Sequence, residues 1–223
     1  QKRKEQRLTF FFFFSGMSSN RFGFELETVS PLNKRLLAAV LNEKGIKTVV
    51  NEDIESSQRN DYIEGGYLSL VDDMSIKTDR YGVEIRSHAF PLTDLDSFRA
   101  LFDALAELKV TTNQFCGLHI HVSNPDCNID AKRLLETTEH EKVRVREERE
   151  AYSQWNFKTA ERNLADHYLA VNQRKPNHVE FRWFNASVNF RYLCKMIRLV
   201  DKHVSSNGFV VPTAFGIQPS CAG

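Results

Sequence analysis

Four stretches of this sequence alternate apolar and ionisable side chains with a period of two: FGFELE (22–27), GVEIRS (82–87), CGLHIHVS (116–123) and HVEFRW (178–183). Successive side chains of a strand point to opposite faces, so each stretch has one apolar and one ionisable side. Phe22, Phe24 and Leu26 oppose Glu25 and Glu27; Val83 and Ile85 oppose Glu84 and Arg86. Leu118, Ile120 and Val122 oppose His119 and His121; Val179, Phe181 and Trp183 oppose Glu180 and Arg182. An ordinary solvated sheet face uses Thr, Ser and Lys. A face carrying four glutamates and two histidines repels itself unless cations sit among the carboxylates, so the pattern predicts a divalent-metal site.

The donor types narrow the metal. Carboxylate-rich ligation with one or two imidazoles suits Mg²⁺ or Mn²⁺, whereas Zn²⁺ prefers His and Cys. Arg86 and Arg182, interleaved with the acids, are what a phosphoryl group needs beside such metals, which points to a nucleoside triphosphate. The chain has no GxxxxGK[ST] or GxGxxG stretch, so metals and basic side chains must hold the phosphates.

Length and charge bound the rest. At 223 residues, 41% hydrophobic and 26% charged, the chain suits one globular domain with a sizeable core. Thirty Lys and Arg against 29 Asp and Glu leave a net charge of +1, which argues against nucleic acid or an anionic membrane as partner. Cys116, Cys127, Cys194 and Cys221 show no CxxC spacing and read as reduced thiols of a cytoplasmic protein. Residues 1–19 read as an N-terminal extension, non-native or disordered; their apolar run from Leu8 to Phe14 is too short to span a bilayer. Residues 20–205 form the expected catalytic domain and 206–223 a tail.

Strands and helices alternate along that domain, giving an α+β class. Ser30 and Pro31 predict the start of a helix that ends before Gly45. Leu95, Phe98, Leu101, Phe102, Leu105 and Leu108 form one helical stripe, with Thr93 as its cap. The charged stretch 131–149 reads as an exposed helix, and RYLCKMIRLVDKHV as a closing amphipathic one.

FGFELE, then DDMSI with GVEIRSH, then CGLHIHVS, then YLAVN followed by HVEFRWFNAS resemble, in order, the phage-type amidoligase family of ATP-dependent carboxylate–amine ligases. The likeness runs from Phe22 to about Asn189. It implies a glutamine-synthetase-like catalytic fold, with a curved, mainly antiparallel sheet flanked by helices. By that resemblance Glu25, Glu27 and Glu84 supply metal-binding carboxylates, and His119 or His121 completes the shell. Glu180 is a further ligand, and Arg182 is the phosphate contact, with Arg86 beside it. Asp73 and Ser75 stand where the family has DxS and line the substrate side; Asn172 and Asn185 join them, as does Arg162, a further basic contact for the nucleotide. On residue type alone, Asp73 and Ser75 equally suit a turn, Asn172 a loop cap and Arg162 a solvated helix.

The expected reaction is phosphorylation of a substrate carboxylate by ATP, then attack of an amine to give an amide or isopeptide bond. The cofactors are ATP and Mg²⁺ or Mn²⁺, and the partners a small-molecule or peptide acid and amine. A neighbouring subunit can complete a site of this kind. The polar loop from Glu52 to Gly66 is the expected lid. Two rival readings use the same face: a metal-dependent hydrolase, and a non-catalytic metal- or nucleotide-binding module.

Overall fold

The computed structural model describes residues 19–53, 65–144 and 147–209. Its strands are β1 (Arg21–Ser30), β2 (Thr48–Val50), β3 (Leu68–Asp72), β4 (Tyr81–Arg86), β5 (Phe90–Pro91), β6 (Gly117–Ser123), β7 (Val171–Lys175) and β8 (His178–Asn185). They form one eight-stranded sheet in the order β2-β3-β4-β1-β6-β8-β7, with β5 added to the start of β1. Among these strands β2 and β3 pair in parallel and the other pairings are antiparallel. The four alternating stretches therefore become four adjacent strands, β4-β1-β6-β8.

Their apolar face is buried under helices. Phe22, Phe24, Leu26, Val83, Ile85, Leu118, Ile120, Val122 and Phe181 share one core with side chains of α1 (Lys34–Glu43), α2 (Arg99–Glu107), α3 (Ala131–Thr137) and α5 (Phe190–Asn207). Phe24 packs edge-on against Phe98 at 5.1 Å between ring centroids. Burying each such side chain contributes about 1.5–3 kcal/mol. The fold is mixed α+β, with a mostly antiparallel sheet flanked by helices. Among the described residues no helix is long and apolar enough to cross a membrane.

Several local expectations change. Asn33, not Ser30, caps α1: its side chain accepts from the Leu36 amide, because Ser30 is still paired with Tyr81 in the sheet. Gly45 does follow the helix end, at φ +79°, where a side chain would be strained. Leu92–Phe98 winds as a 3-10 turn before α2, and Thr93 donates to Asp94 instead of capping. The stretch 131–149 is not one exposed helix. The α-helical part stops at Thr137, with Leu134 and Leu135 fully buried, and the Thr138 hydroxyl donates back to the Leu134 carbonyl at 2.6 Å. Two 3-10 segments follow, Glu139–Arg144 and Glu147–Tyr152.

Cys116 and Cys194 are free and buried, but Cys127 is disulfide-bonded, so the expectation of reduced thiols fails there. The closing helix reaches Asn207, past the expected boundary at Ser205. The proposed extension up to residue 18, most of the expected lid (54–64) and the tail from 210 lie outside the described residues.

Candidate active site

Pairing register builds the ionisable face. Glu25 stands opposite Arg86 on one side and His119 on the other; Glu27 stands opposite Glu84, and His121 opposite Glu180. Between β6 and β8 the register shifts: Leu118 pairs with Phe184, but Ile120 pairs with Phe181. The extra residue on β8 sets Arg182 and Trp183 together across from His119. Trp183 is buried in the same core as Phe181, its ring 5.3 Å from that of Phe181 and 5.5 Å from that of Trp155.

The carboxylates converge on the two imidazoles. His119 Nδ1 lies 3.2 Å from Glu25 Oε2 and 3.5 Å from Glu180 Oε1, and its Nε2 lies 3.3 Å from Glu27 Oε1. His121 Nε2 lies 3.4 Å from the other Glu25 oxygen. Glu27 also accepts the Gly117 amide at 2.6 Å, and Glu180 accepts the Asn172 amide at 2.8 Å. Arg86 pairs with Glu84 and Arg182 with Glu180, each at 2.5 Å. The Arg182 Nε is buried and has no hydrogen-bond partner among the described residues.

Burial and charge compete at each group. Burial alone would raise the Glu25 carboxyl, but hydrogen bonds and charge from His119 and His121 hold it well below its ordinary pKa. Burial would likewise raise Glu180; the charges of Arg182, His119 and His121 lower it. Glu84 is pushed up by burial and by Glu25, against the pull of Arg86. Burial disfavours charged His121, yet its hydrogen bond to Glu25 raises it above the usual imidazole value.

Three overlapping donor sets result. One donor atom from each of Glu25, Glu84 and His119 lies within 4.8 Å of the other two; so it is for Glu25, His121 and Glu180, and for Glu27, Asp73 and Glu84. Each set is mostly or wholly carboxylate, the chemistry that suits a hard divalent cation. The face opens into a cleft of about 660 Å³, whose lining also includes Ser75, Asn172, Arg86 and Arg182. A second hollow, about 380 Å³, shares Glu25, Arg86, His121 and His178 with it.

Asp73 accepts from both the amide and the hydroxyl of Ser75, at 2.8 and 2.6 Å, so it builds a turn while facing the acids. Two expected residues are not in the cleft lining. Arg162 is exposed in the last turn of α4 (Phe157–Arg162), where a cation complements the helix dipole. Asn185, at the far end of β8 beyond the register shift, pairs with Gly117.

The cleft also holds residues not anticipated from sequence: Tyr152, His167, Tyr168, Arg174 and His178. For two of them the signal was present, since His178 continues the alternation of Glu180 and Arg182, and Arg174 that of Asn172. His178 Nε2 lies 3.2 Å from His121 Nδ1, and burial together with the charge of His121 lowers its pKa to about 4. The aromatic residues come from segments without periodicity.

A search of curated proteins found no match. A family model described as "putative amidoligase enzyme" matches residues 18–140, more than half of the chain.

Proposed function

The chain belongs to this amidoligase family, and from that premise we propose that it is an ATP-dependent carboxylate–amine ligase with a glutamine-synthetase-like catalytic fold. The observation that carries the proposal is the adjacency of three carboxylate-rich donor sets to two arginines on one sheet face. Glu25, Glu27, Glu84, Glu180 and His119 or His121 would hold Mg²⁺ or Mn²⁺, which supplies charge neutralisation to the triphosphate. Asp73, within reach of Glu27 and Glu84, belongs with these donors.

Arg182 does the work on phosphate. Its buried Nε–H has no partner among the described residues while Nη1 is fixed by Glu180, so the guanidinium is oriented before substrate arrives and keeps a donor for a phosphate oxygen. Arg86, fixed by Glu84 and 3.6 Å from Glu25, supplies a second cation. The substrate carboxylate oxygen attacks the γ-phosphorus and ADP leaves. The amine nitrogen then attacks the carbonyl carbon, phosphate departs with the bonding pair, and the nitrogen gives up a proton, leaving an amide. Ser75 and Asn172 line the substrate side of the larger cleft, and the adjoining hollow leaves room for a second reactant. Acid and amine are a small molecule or a peptide.

Thermal unfolding with ATP and Mg²⁺, in wild type and Glu25→Gln, tests this reading without a known substrate. A Mg²⁺-dependent rise lost in the variant supports it, and ADP release on adding acids and amines completes it. Stabilisation by Zn²⁺ or Mn²⁺ alone that Glu25→Gln abolishes, with none from ATP, favours a metallohydrolase or a binding module instead.

A further inference from the structure

The run EHEKVRVREERE at 139–150 has no part in the chemistry above. Its first 3-10 segment, Glu139–Arg144, brings His140 against α5, with the rings of His140 and His203 6.0 Å apart at their centroids. His140 Nε2 lies 3.2 Å from Glu141 Oε1. One donor atom from each of His140, Glu141 and His203 lies within 4.8 Å of the other two. Glu141 is only 3% exposed, an unusual place for a carboxylate, and the buried His203 Nε2 has no hydrogen-bond partner among the described residues. His140 stands at the surface and leaves the cluster open on one side.

We propose that His140, Glu141 and His203 form a second metal site that takes Zn²⁺, with water in the fourth position. The donor set decides the metal: two imidazoles and one carboxylate suit Zn²⁺, unlike the carboxylate-rich sheet face. Tetrahedral Zn²⁺ with bonds of about 2.0–2.2 Å wants its donors roughly 3.4 Å apart, so small side-chain rotations complete the site. The ion ties the charged segment to the long closing helix. The second 3-10 segment ends at Tyr152, which lines the cleft, so the staple also steadies one wall of the candidate active site.

Calorimetric titration of Zn²⁺ into the full chain tests this, comparing wild type, Glu25→Gln, His140→Ala and His203→Ala. The expected result is one equivalent still bound by Glu25→Gln, and that equivalent weakened by more than roughly tenfold in each histidine variant. Co²⁺ in place of Zn²⁺ should give visible absorption of a tetrahedral site in wild type and lose it in His140→Ala. No Zn²⁺ bound by folded Glu25→Gln, or wild-type stoichiometry and affinity in His140→Ala, overturns the proposal. Should Glu25→Gln or His203→Ala fail to fold, the exposed His140→Ala decides against wild type: loss of one equivalent supports the site, and unchanged stoichiometry overturns it.

Discussion

Glu25 on β1 and His119 on β6 are direct register partners, with Oε2 and Nδ1 3.2 Å apart, and the other Glu25 oxygen meets His121. Glu25 also belongs to two of the three donor sets on the face. Glu25→Gln keeps the shape but removes the charge on which both sets depend. Mg²⁺ affinity, measured by titration calorimetry, should fall by at least about a hundredfold. Losing the charge opposite two imidazoles should also destabilise the metal-free protein by about 1–3 kcal/mol in urea melts.

Glu84 should behave in the opposite way. It stands directly opposite Glu27, and like charges in cross-strand register oppose folding. Glu84→Gln keeps an acceptor for Arg86 and removes that repulsion. The metal-free protein should gain about 0.5–1 kcal/mol, while stabilisation by Mg²⁺ disappears. Melts in EDTA and in Mg²⁺ separate the two effects; a variant less stable in EDTA would contradict the argument.

Arg182→Lys retains a cation beside Glu180 but loses the planar fork. Circular dichroism should be unchanged, and ATP-dependent turnover should fall by about 10²–10³. Turnover close to wild type would remove Arg182 from the phosphate site.

Gly82 admits the backbone of the Asp73 turn: a Cβ there would meet the Asp73 carbonyl oxygen at 2.5 Å. Gly82→Ala should cost about 1–3 kcal/mol in stability. It should also weaken metal binding, because Asp73 is displaced from Glu27 and Glu84. Calorimetry on the variant checks both.

His178 sets a pH response. Its pKa is about 4 in the fold against 6.5 ordinarily, so above pH 6.5 neither state holds the extra proton. Between pH 6.5 and 4 the unfolded chain takes up a proton that the folded chain refuses, and stability falls as pH falls; below 4 the loss is complete. With the ring partly solvated, the loss is about 1–2 kcal/mol. Metal-free His178→Gln should lose less stability than wild type over that window in urea melts. Glu25 works in the same direction, because a carboxyl lowered in the fold loses its contribution when acid protonates it.

Much of the site was legible in the chain. A period of two over short runs is a local property of the backbone, so it assigned Glu25, Glu27, Glu84, His119, His121, Glu180 and Arg182 to one side of their strands before any neighbour was known. Apolar spacing located most of the elements and the buried stripe of α2, although the expected caps Ser30 and Thr93 did not serve as caps.

What local spacing could not decide is which strands are neighbours and where their register shifts. Hydrogen bonding between distant segments put β4, β1, β6 and β8 side by side, turning separate ionisable edges into overlapping donor sets. The extra residue on β8 is felt only against β6, where the register shifts between Leu118 and Ile120. The placement of Asp73 by Gly82, the exposure of Arg162, the pairing of Asn185 with Gly117 and the approach of His140 to His203 all come from packing across the chain. The sequence by itself determined which side chains could share a face, because each backbone residue aims its own side chain; only tertiary structure decided which of them meet.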